Sequence, residues 1–301
     1  MSLVLPIAVD ANAQQPNLAD KLKEHVVVLS GEIGERNYWF YQNLNKTAEY
    51  IAACFKEYSL PIEFQTYKID DKNFSNIIAV KKGEVSPDEV IVVGAHYDTV
   101  VGTPGADDNA SAIAGLLELA RLFSKQKTEK TIKFIAFVNE EPPYFETAQM
   151  GSRVYAKQAK KNKENIVAMI SLEMIGYYNQ NRRSQDYPLF LGLIYPDTAN
   201  FIGFVSNFGS KSLVDKLAKS FRRYSQFPVE VISAPSIVPG VDWSDHGSFW
   251  KYGYKAMMVT DTSFYRYSHY HSQSDTYEKL DYESMAEVVK GLYYAIGEYK
   301  R

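Results

Sequence analysis

The amino-acid sequence predicts an α/β fold, a three-layer sandwich in which helices cover both faces of a mixed, mostly parallel central sheet. Two observations carry this expectation. Val90–Ala95, Ile132–Val138 and Ile166–Leu172 are short unbroken apolar runs, the pattern of strands buried on both faces. Between them lie segments with apolar residues at helical spacing, and strands that alternate with helices build largely parallel sheets between two helical layers.

Taken in order, residues 1–12 have no charged start and only a short apolar stretch, so they do not read as an intact leader. The first fifteen or so residues are expected to be a tag or a residual leader, ahead of a single domain spanning 1–301. Tyr41, Leu44, Ala48, Ile51, Ala52 and Phe55 share one face of a helix over roughly 35–57. Residues 62–69 and 75–81 read as two strands, a possible hairpin. Ile113, Leu116, Leu117, Ala120 and Phe123 mark a second helix, and a shorter one is expected around 149–161. Helices are then expected near 197–207 and 211–224, a strand at 229–233, a helix at 244–251 and a strand at 255–260. The last helix aligns Met285, Val288, Val289, Leu292 and Ile296, with Asp281 placed to cap it.

Composition narrows the function. A chain of 301 residues needs no staples to hold a core. Its 33 Lys+Arg against 36 Asp+Glu leave a formal charge of −3, which argues against nucleic-acid and anionic-membrane partners. The single cysteine, Cys54, excludes an internal disulfide and a cysteine-built zinc or iron–sulfur site. Any metal must use His, Asp and Glu.

In open α/β sheets the working groups collect beyond the carboxyl ends of the strands. There the three apolar runs are followed by His96-Tyr97-Asp98, by Asn139-Glu140-Glu141 and by Glu173, and the Ile113 helix opens with Asp107-Asp108. So many carboxylates cannot be buried together without a cation, because repulsion and desolvation force most of them neutral. Imidazole plus carboxylate suits Zn²⁺, with Co²⁺ or Mn²⁺ as possible substitutes. Three ligating carboxylates and a hydroxide balance two divalent ions. A second histidine has to come from His25, His246, His269 or His271; of these, His271 is followed four residues later by Asp275. Asp98 and Asp275 are each expected to orient the neighbouring imidazole.

The segments Gly94-Ala95-His96-Tyr97-Asp98, Gly105 to Ser111, Phe137 to Glu141, Met150-Gly151-Ser152 and His271 to Thr276 occur in one order over roughly 74–300. Together they resemble the co-catalytic zinc exopeptidases, metallopeptidase family twenty-eight. Its members include secreted bacterial leucyl aminopeptidases, glutamate carboxypeptidase II, glutaminyl cyclase and the transferrin receptor ectodomain. The resemblance implies that Asp107 bridges two zinc ions, one completed by His96 and Glu173 and the other by Glu141 and His271. It implies Glu140 as general base, Tyr270 as the phenol that polarises the scissile carbonyl, and a cis peptide bond between Asp107 and Asp108. Position 173 departs slightly, since many relatives carry Asp there.

The expected function is therefore a zinc aminopeptidase acting on peptide substrates, exported with its leader removed. Loops 176–188, 233–243 and 262–270, rich in Tyr, Phe, Ile and Val, are expected to form the specificity pocket and to favour an apolar or aromatic N-terminal residue. Three alternatives stand beside it. A glutaminyl-peptide cyclotransferase uses a single zinc on the same scaffold. A carboxypeptidase needs basic residues for a C-terminal carboxylate, for which Arg182, Arg183 and Arg266 are candidates. A non-catalytic receptor has lost its ligands, whereas here the full set is present. Asp245 and His246 are expected to support the pocket wall, and His269 to be a loop residue.

Overall fold

A computed structural model describes residues 17–188 and 191–299; the expected tag or leader at 1–16 lies outside the described residues. Its elements are α1 (Leu18–Val26), α2 (Tyr41–Glu57), β1 (Ile62–Ile69), β2 (Lys72–Lys81), β3 (Ser86–His96), α3 (Ala112–Ser124), β4 (Lys130–Phe137), α4 (Gly151–Lys161) and β5 (Ile166–Glu173). There follow β6 (Ile202–Ser206), α5 (Lys211–Tyr224), β7 (Val229–Ser233), α6 (Asp245–Lys251), β8 (Ala256–Thr260) and α7 (Tyr282–Gly297).

The strands form one eight-stranded sheet in the order β1-β2-β4-β3-β5-β8-β6-β7. The centre, β4-β3-β5-β8, is parallel, as is β6-β7, whereas β1-β2, β2-β4 and β6-β8 are antiparallel. The mixed, mostly parallel α/β sheet expected from the apolar runs is the one observed. Every residue of β5 is buried, as a strand covered on both faces must be. One face packs under α1, α2, α3, α5 and α7 through residues such as Leu22, Phe55, Leu116, Phe221 and Val289. The other face packs under α4 and α6 through Phe137, Tyr155 and Phe249. Among the described residues no helix is long and apolar enough to cross a membrane.

Two elements differ from expectation. Residues 202–206, expected to be helical, form β6, with all five residues buried between β8 and β7. Phe201 to Val205 is a short apolar run between Asn200 and Asn207, and tertiary packing on both faces decides for strand. Helix α1 went unread: it is capped by the Asn17 side chain on the Asp20 amide and buries Ala19, Leu22 and Val26 along one face. Helix α2 begins at Tyr41, six residues later than expected, the other boundaries fall within a few residues, and the Asp281 carboxylate accepts from the Ser284 amide to cap α7.

Candidate metal centre

His96 closes β3, Glu173 closes β5, and Glu140-Glu141 leave the end of β4, so the sheet itself delivers these side chains to one edge. Sharp turns then aim them. Asn139 (φ 61°), Met174 (φ 48°) and His271 (φ 52°) all adopt left-handed backbone, a conformation that clusters at functional sites. Gly105 is left-handed as well (φ 63°), and a Cβ there would meet the Asp108 carbonyl at 2.4 Å, so the turn that presents Asp108 needs glycine.

The His96 Nδ1–H donates to the Asp98 main-chain carbonyl (3.1 Å), which orients the ring and turns Nε2 toward the acids. That Nε2 lies 3.4 Å from Asp108 Oδ1, 3.5 Å from Glu173 Oε2 and 3.8 Å from Glu140 Oε2. Opposite, His271 Nε2 lies 3.1 Å from Asp108 Oδ2 and 3.4 Å from Glu141 Oε1. Asp108 thus stands between the imidazoles, one oxygen toward each. Two donor sets share the Asp108 carboxylate, His96-Asp108-Glu173 and His271-Asp108-Glu141, and a third grouping, His96-Glu140-Glu141, lies beside them.

Asp107, the residue assigned to this bridge by resemblance, is not in the cluster. Its Oδ1 accepts from the Gly176 amide (2.9 Å) and its carboxyl faces the buried Asp261. Burial, with Asp261 and Asp275 nearby, pushes its pKa well up. Successive side chains diverge at this turn, so a shift of one position exchanges the inward carboxylate for one turned away. The cis bond is displaced in the same sense and joins Asp108 to Asn109.

Asp98 stands beside His96 and also holds backbone, whereas Asp275 acts differently from expectation. The Asp98 carboxylate accepts from the Glu140 and Glu141 amides (3.1 and 3.0 Å), and stands 3.7 Å from the imidazole of His96. Asp275 accepts from the Asp107 and Asp108 amides (2.8 and 3.2 Å) and from the Tyr267 hydroxyl (2.8 Å), not from His271. Both hold backbone.

The electrostatics are those of carboxylates and imidazoles crowded together out of water. Burial, then His96 and the neighbouring carboxylates, set Glu140, whose pKa stands well above its usual range. Burial and Asp108 lift Glu141 to about 7 against the pull of His271. Burial opposes charge on both imidazoles, yet the surrounding acids raise His96 well above its ordinary value and His271 to about 10. Burial opposes charge on Asp108, but its ion-pair contacts with the two histidines outweigh it and hold the carboxyl below the usual range. Asp108 Oδ1 is buried and has no hydrogen bond. An orphaned carboxylate oxygen between two imidazoles and three glutamates is the donor chemistry of a divalent transition-metal site, and these residues fit zinc.

Several supporting residues carried no sequence signal. The buried Arg36 guanidinium donates to the carbonyls of Tyr97 (2.8 Å), Pro104 (2.7 Å) and Gly105 (2.9 Å), pinning the loop after β3 beneath the cluster. Asn109 binds the Leu172 carbonyl and the Met174 amide, sewing the Asp108 turn to the end of β5. The Ser244 hydroxyl donates to Glu173 Oε2 (2.7 Å) and orients it. Asp245 is buried behind His96 and pushed up to about 7 by burial. His246 binds the Val241 carbonyl away from the cluster, and His269 bonds the Ser274 hydroxyl.

Tyr270 stacks on His271, ring centroids 3.7 Å apart, and lines the cavity beside the cluster. That cavity, about 410 Å³, is bounded by all three expected loops. It also reaches across the sheet surface itself, over β8, β6 and β7, which the sequence did not disclose. Among the described residues no arginine lines it. The Arg266 guanidinium is buried on Gln185 and the Phe201 carbonyl, and Arg182 is exposed near Asp197, so the basic residues weighed for a carboxypeptidase are not at the site.

Residues 76–296 match the model of peptidase family M28. The chain belongs to peptidase family M28. YfbL of Escherichia coli is 36% identical over 282 residues, covering 91% of this chain and 86% of that protein. The M28 fold is shared with a zinc aminopeptidase from Bacillus subtilis, at TM-score 0.76 and 16% identity, covering 94% of this chain and 95% of that one. It is shared equally with the glutaminyl cyclase of Fimbriiglobus ruber, at TM-score 0.70 and 18% identity, covering 99% of this chain and 100% of that one. Membership in M28 makes the chain a metallo-exopeptidase by class, as its motifs implied.

Proposed function

We propose that this chain is a zinc-dependent aminopeptidase that holds two ions, one on His96, Asp108 and Glu173 and one on His271, Asp108 and Glu141. The observation that carries the proposal is Asp108 divided between the two imidazoles, with a glutamate completing each side, at the floor of a large cavity. The second set, with His271 and Glu141, is complete, whereas a single-zinc cyclase needs no second set. Bound zinc would supply a Lewis acid and a water acidified toward neutrality.

The chain's own groups do the remainder. Glu140 lies in neither of the two sets that share Asp108, yet its carboxylate stands at the cluster, 3.8 Å from His96 Nε2, so in its ionised form it can take a proton from the attacking water and return it to the leaving amine nitrogen. The Tyr270 hydroxyl, kept protonated by burial and the surrounding acids, can donate to the scissile carbonyl oxygen as charge grows there. The apolar walls, Phe201, Val205, Met258 and Phe264 among them, favour the side chain of a sizeable N-terminal residue. Export of the enzyme belongs to the same proposal and rests on the resemblance to secreted relatives.

The test incubates the zinc-loaded protein with peptides differing only at the N-terminus, one of them beginning with glutamine, and follows the products by mass spectrometry. Aminopeptidase activity releases free amino acids and a shortened peptide. Loss of ammonia from the glutamine peptide at unchanged length, with no shortening of any other, would overturn the reading in favour of the cyclase.

A further inference from the structure

Glu173 is in register with Thr260, Thr260 with Gly203, and Gly203 with Glu230. Registered partners on neighbouring strands point to the same face, so these four residues form one row across β5, β8, β6 and β7. Strands lie ~4.8 Å apart, which places the backbone of Glu230 about 14 Å from that of Glu173. All four residues line the cavity. The acids stand at its two ends, and glycine and a small threonine leave the floor between them low. The adjacent row, Ser171-Met258-Val205-Ile232, is apolar beyond its first member.

Glu230 has no hydrogen bond or ion-pair contact among the described residues. The phenols whose ionisation its charge opposes are both committed elsewhere. Tyr187 donates to the Pro196 carbonyl (2.7 Å) and Tyr195 to the Val231 carbonyl (2.8 Å). Among the described residues no lysine or arginine lines the cavity. Burial raises the Glu230 pKa, and Arg222, which pulls it down from outside the cavity, is bonded to the Val229 carbonyl (2.8 Å) rather than to Glu230. A partly desolvated carboxylate without a partner is costly, and a ligand that supplies cationic N–H donors recovers that cost.

We propose that Glu230 is the specificity-determining residue of this enzyme and selects an N-terminal arginine or lysine. The inference deepens the aminopeptidase reading and rests on it. With its α-amine at the Glu173 end, an extended arginine spans roughly 7 Å from Cα to its terminal nitrogens, from ordinary bond lengths. Its methylenes cross the Met258-Val205-Ile232 row and its guanidinium meets Glu230 at the far end of the cavity. Leucine ends about 4 Å from its Cα and leaves the far half of the cavity unfilled. An acidic N-terminal residue would set like charge against Glu230.

The experiment compares arginine with citrulline, its neutral isostere, in wild type, Glu230→Gln and Glu230→Leu, each zinc-loaded. One readout is the ratio of kcat/KM for Arg- and citrulline-initiated peptides within each variant, so that a general change in activity cancels. The other is calorimetric binding of free L-arginine and L-citrulline. Wild type is expected to favour arginine about ten- to a hundredfold in both, the worth of one charge-assisted hydrogen-bonded pair, and both substitutions to bring the ratios near one. Equal ratios in wild type, or a preference that survives both substitutions, overturn the role of Glu230. A preference in binding that Glu230→Gln abolishes, in a protein that shortens no peptide, supports Glu230 and overturns the aminopeptidase reading alone.

Discussion

Asp98 and Asp275 do the same work at opposite sides of the acidic cluster: each carboxylate spans two successive backbone amides. Asp98 holds those of Glu140 and Glu141, and Asp275 those of Asp107 and Asp108. The sequence places each beside a histidine, which suggests an imidazole partner. Asp98 keeps that partner, Asp275 does not, and the fold uses both to present pairs of adjacent acids in one fixed orientation, since an ionised carboxylate binds N–H donors more strongly than a neutral acceptor does.

Asp275→Asn is therefore expected to damage the centre without touching it. One of the Asp107 and Asp108 amides would face an NH₂ group, a loss of about 1–3 kcal/mol. Zinc affinity should fall by ~10–100-fold, as for other outer-shell changes. Denaturant unfolding of the metal-free protein and a competitive zinc titration measure the two. Wild-type zinc affinity would show that the Asp108 loop holds its shape unaided.

Asp107 and Asp108 should separate cleanly. Asp108→Asn removes the carboxylate shared by both donor sets and should lower zinc content per chain after dialysis, with activity lost in parallel. Asp107→Asn leaves both sets intact and should retain zinc, its effect confined to stability through Gly176 and Asp261. The reverse pattern, with zinc lost only on changing Asp107, would falsify the assignment of the shared ligand.

The adjacent glutamates give the mechanistic test. Glu141→Gln should weaken metal binding and with it the metal-dependent part of the thermal stability. Glu140→Gln should keep its metal and fold yet lose turnover by ~10²–10⁴, the usual worth of general-base assistance. Elemental analysis beside steady-state rates decides. Metal loss in both variants would make Glu140 a ligand, and near-normal turnover by Glu140→Gln would assign the proton transfer elsewhere.

His246 provides a pH signature remote from the reacting groups. Burial pushes its pKa down to about 4, so the folded protein keeps it neutral. Between that value and the ordinary ~6.5 the unfolded chain binds the extra proton, so stability rises with pH through the window. It is lost as pH falls from about 6.5 to about 4, by about 3 kcal/mol in all. His246→Phe should be less stable near neutrality, having lost the Val241 bond, but should show a shallower decline over that window. Parallel curves for the two proteins would mean that His246 accepts its proton in the folded state.

How much of this was legible in the chain varies element by element. The three apolar strands and the acids just beyond them could be read directly, because burial on both faces demands unbroken apolarity and the ends of such strands are where polar groups emerge. The amphipathic helices α2, α3 and α7 were legible from spacing, and the Asp281 cap from residue type. Strand β6 was misread, since a short apolar run carries too little periodicity to separate helix from strand, and its neighbours β8 and β7 are remote in sequence.

The sequence by itself determined the parallel core, the collection of His96, Glu140, Glu141 and Glu173 at one sheet edge, and the family, through motifs whose order and residue types are local properties. Only the tertiary structure decided which of Asp107 and Asp108 faces the two imidazoles, because the rotation of one tight turn about Gly105 depends on Asp275 and Arg36, distant in the chain. It alone decided that Asp98 and Asp275 grip backbone, and that Arg266 is committed within the protein. It also brought Glu230 into line with Glu173 across four strands. Register between strands is set by packing and hydrogen bonding of whole elements, and no local pattern of residues encodes it.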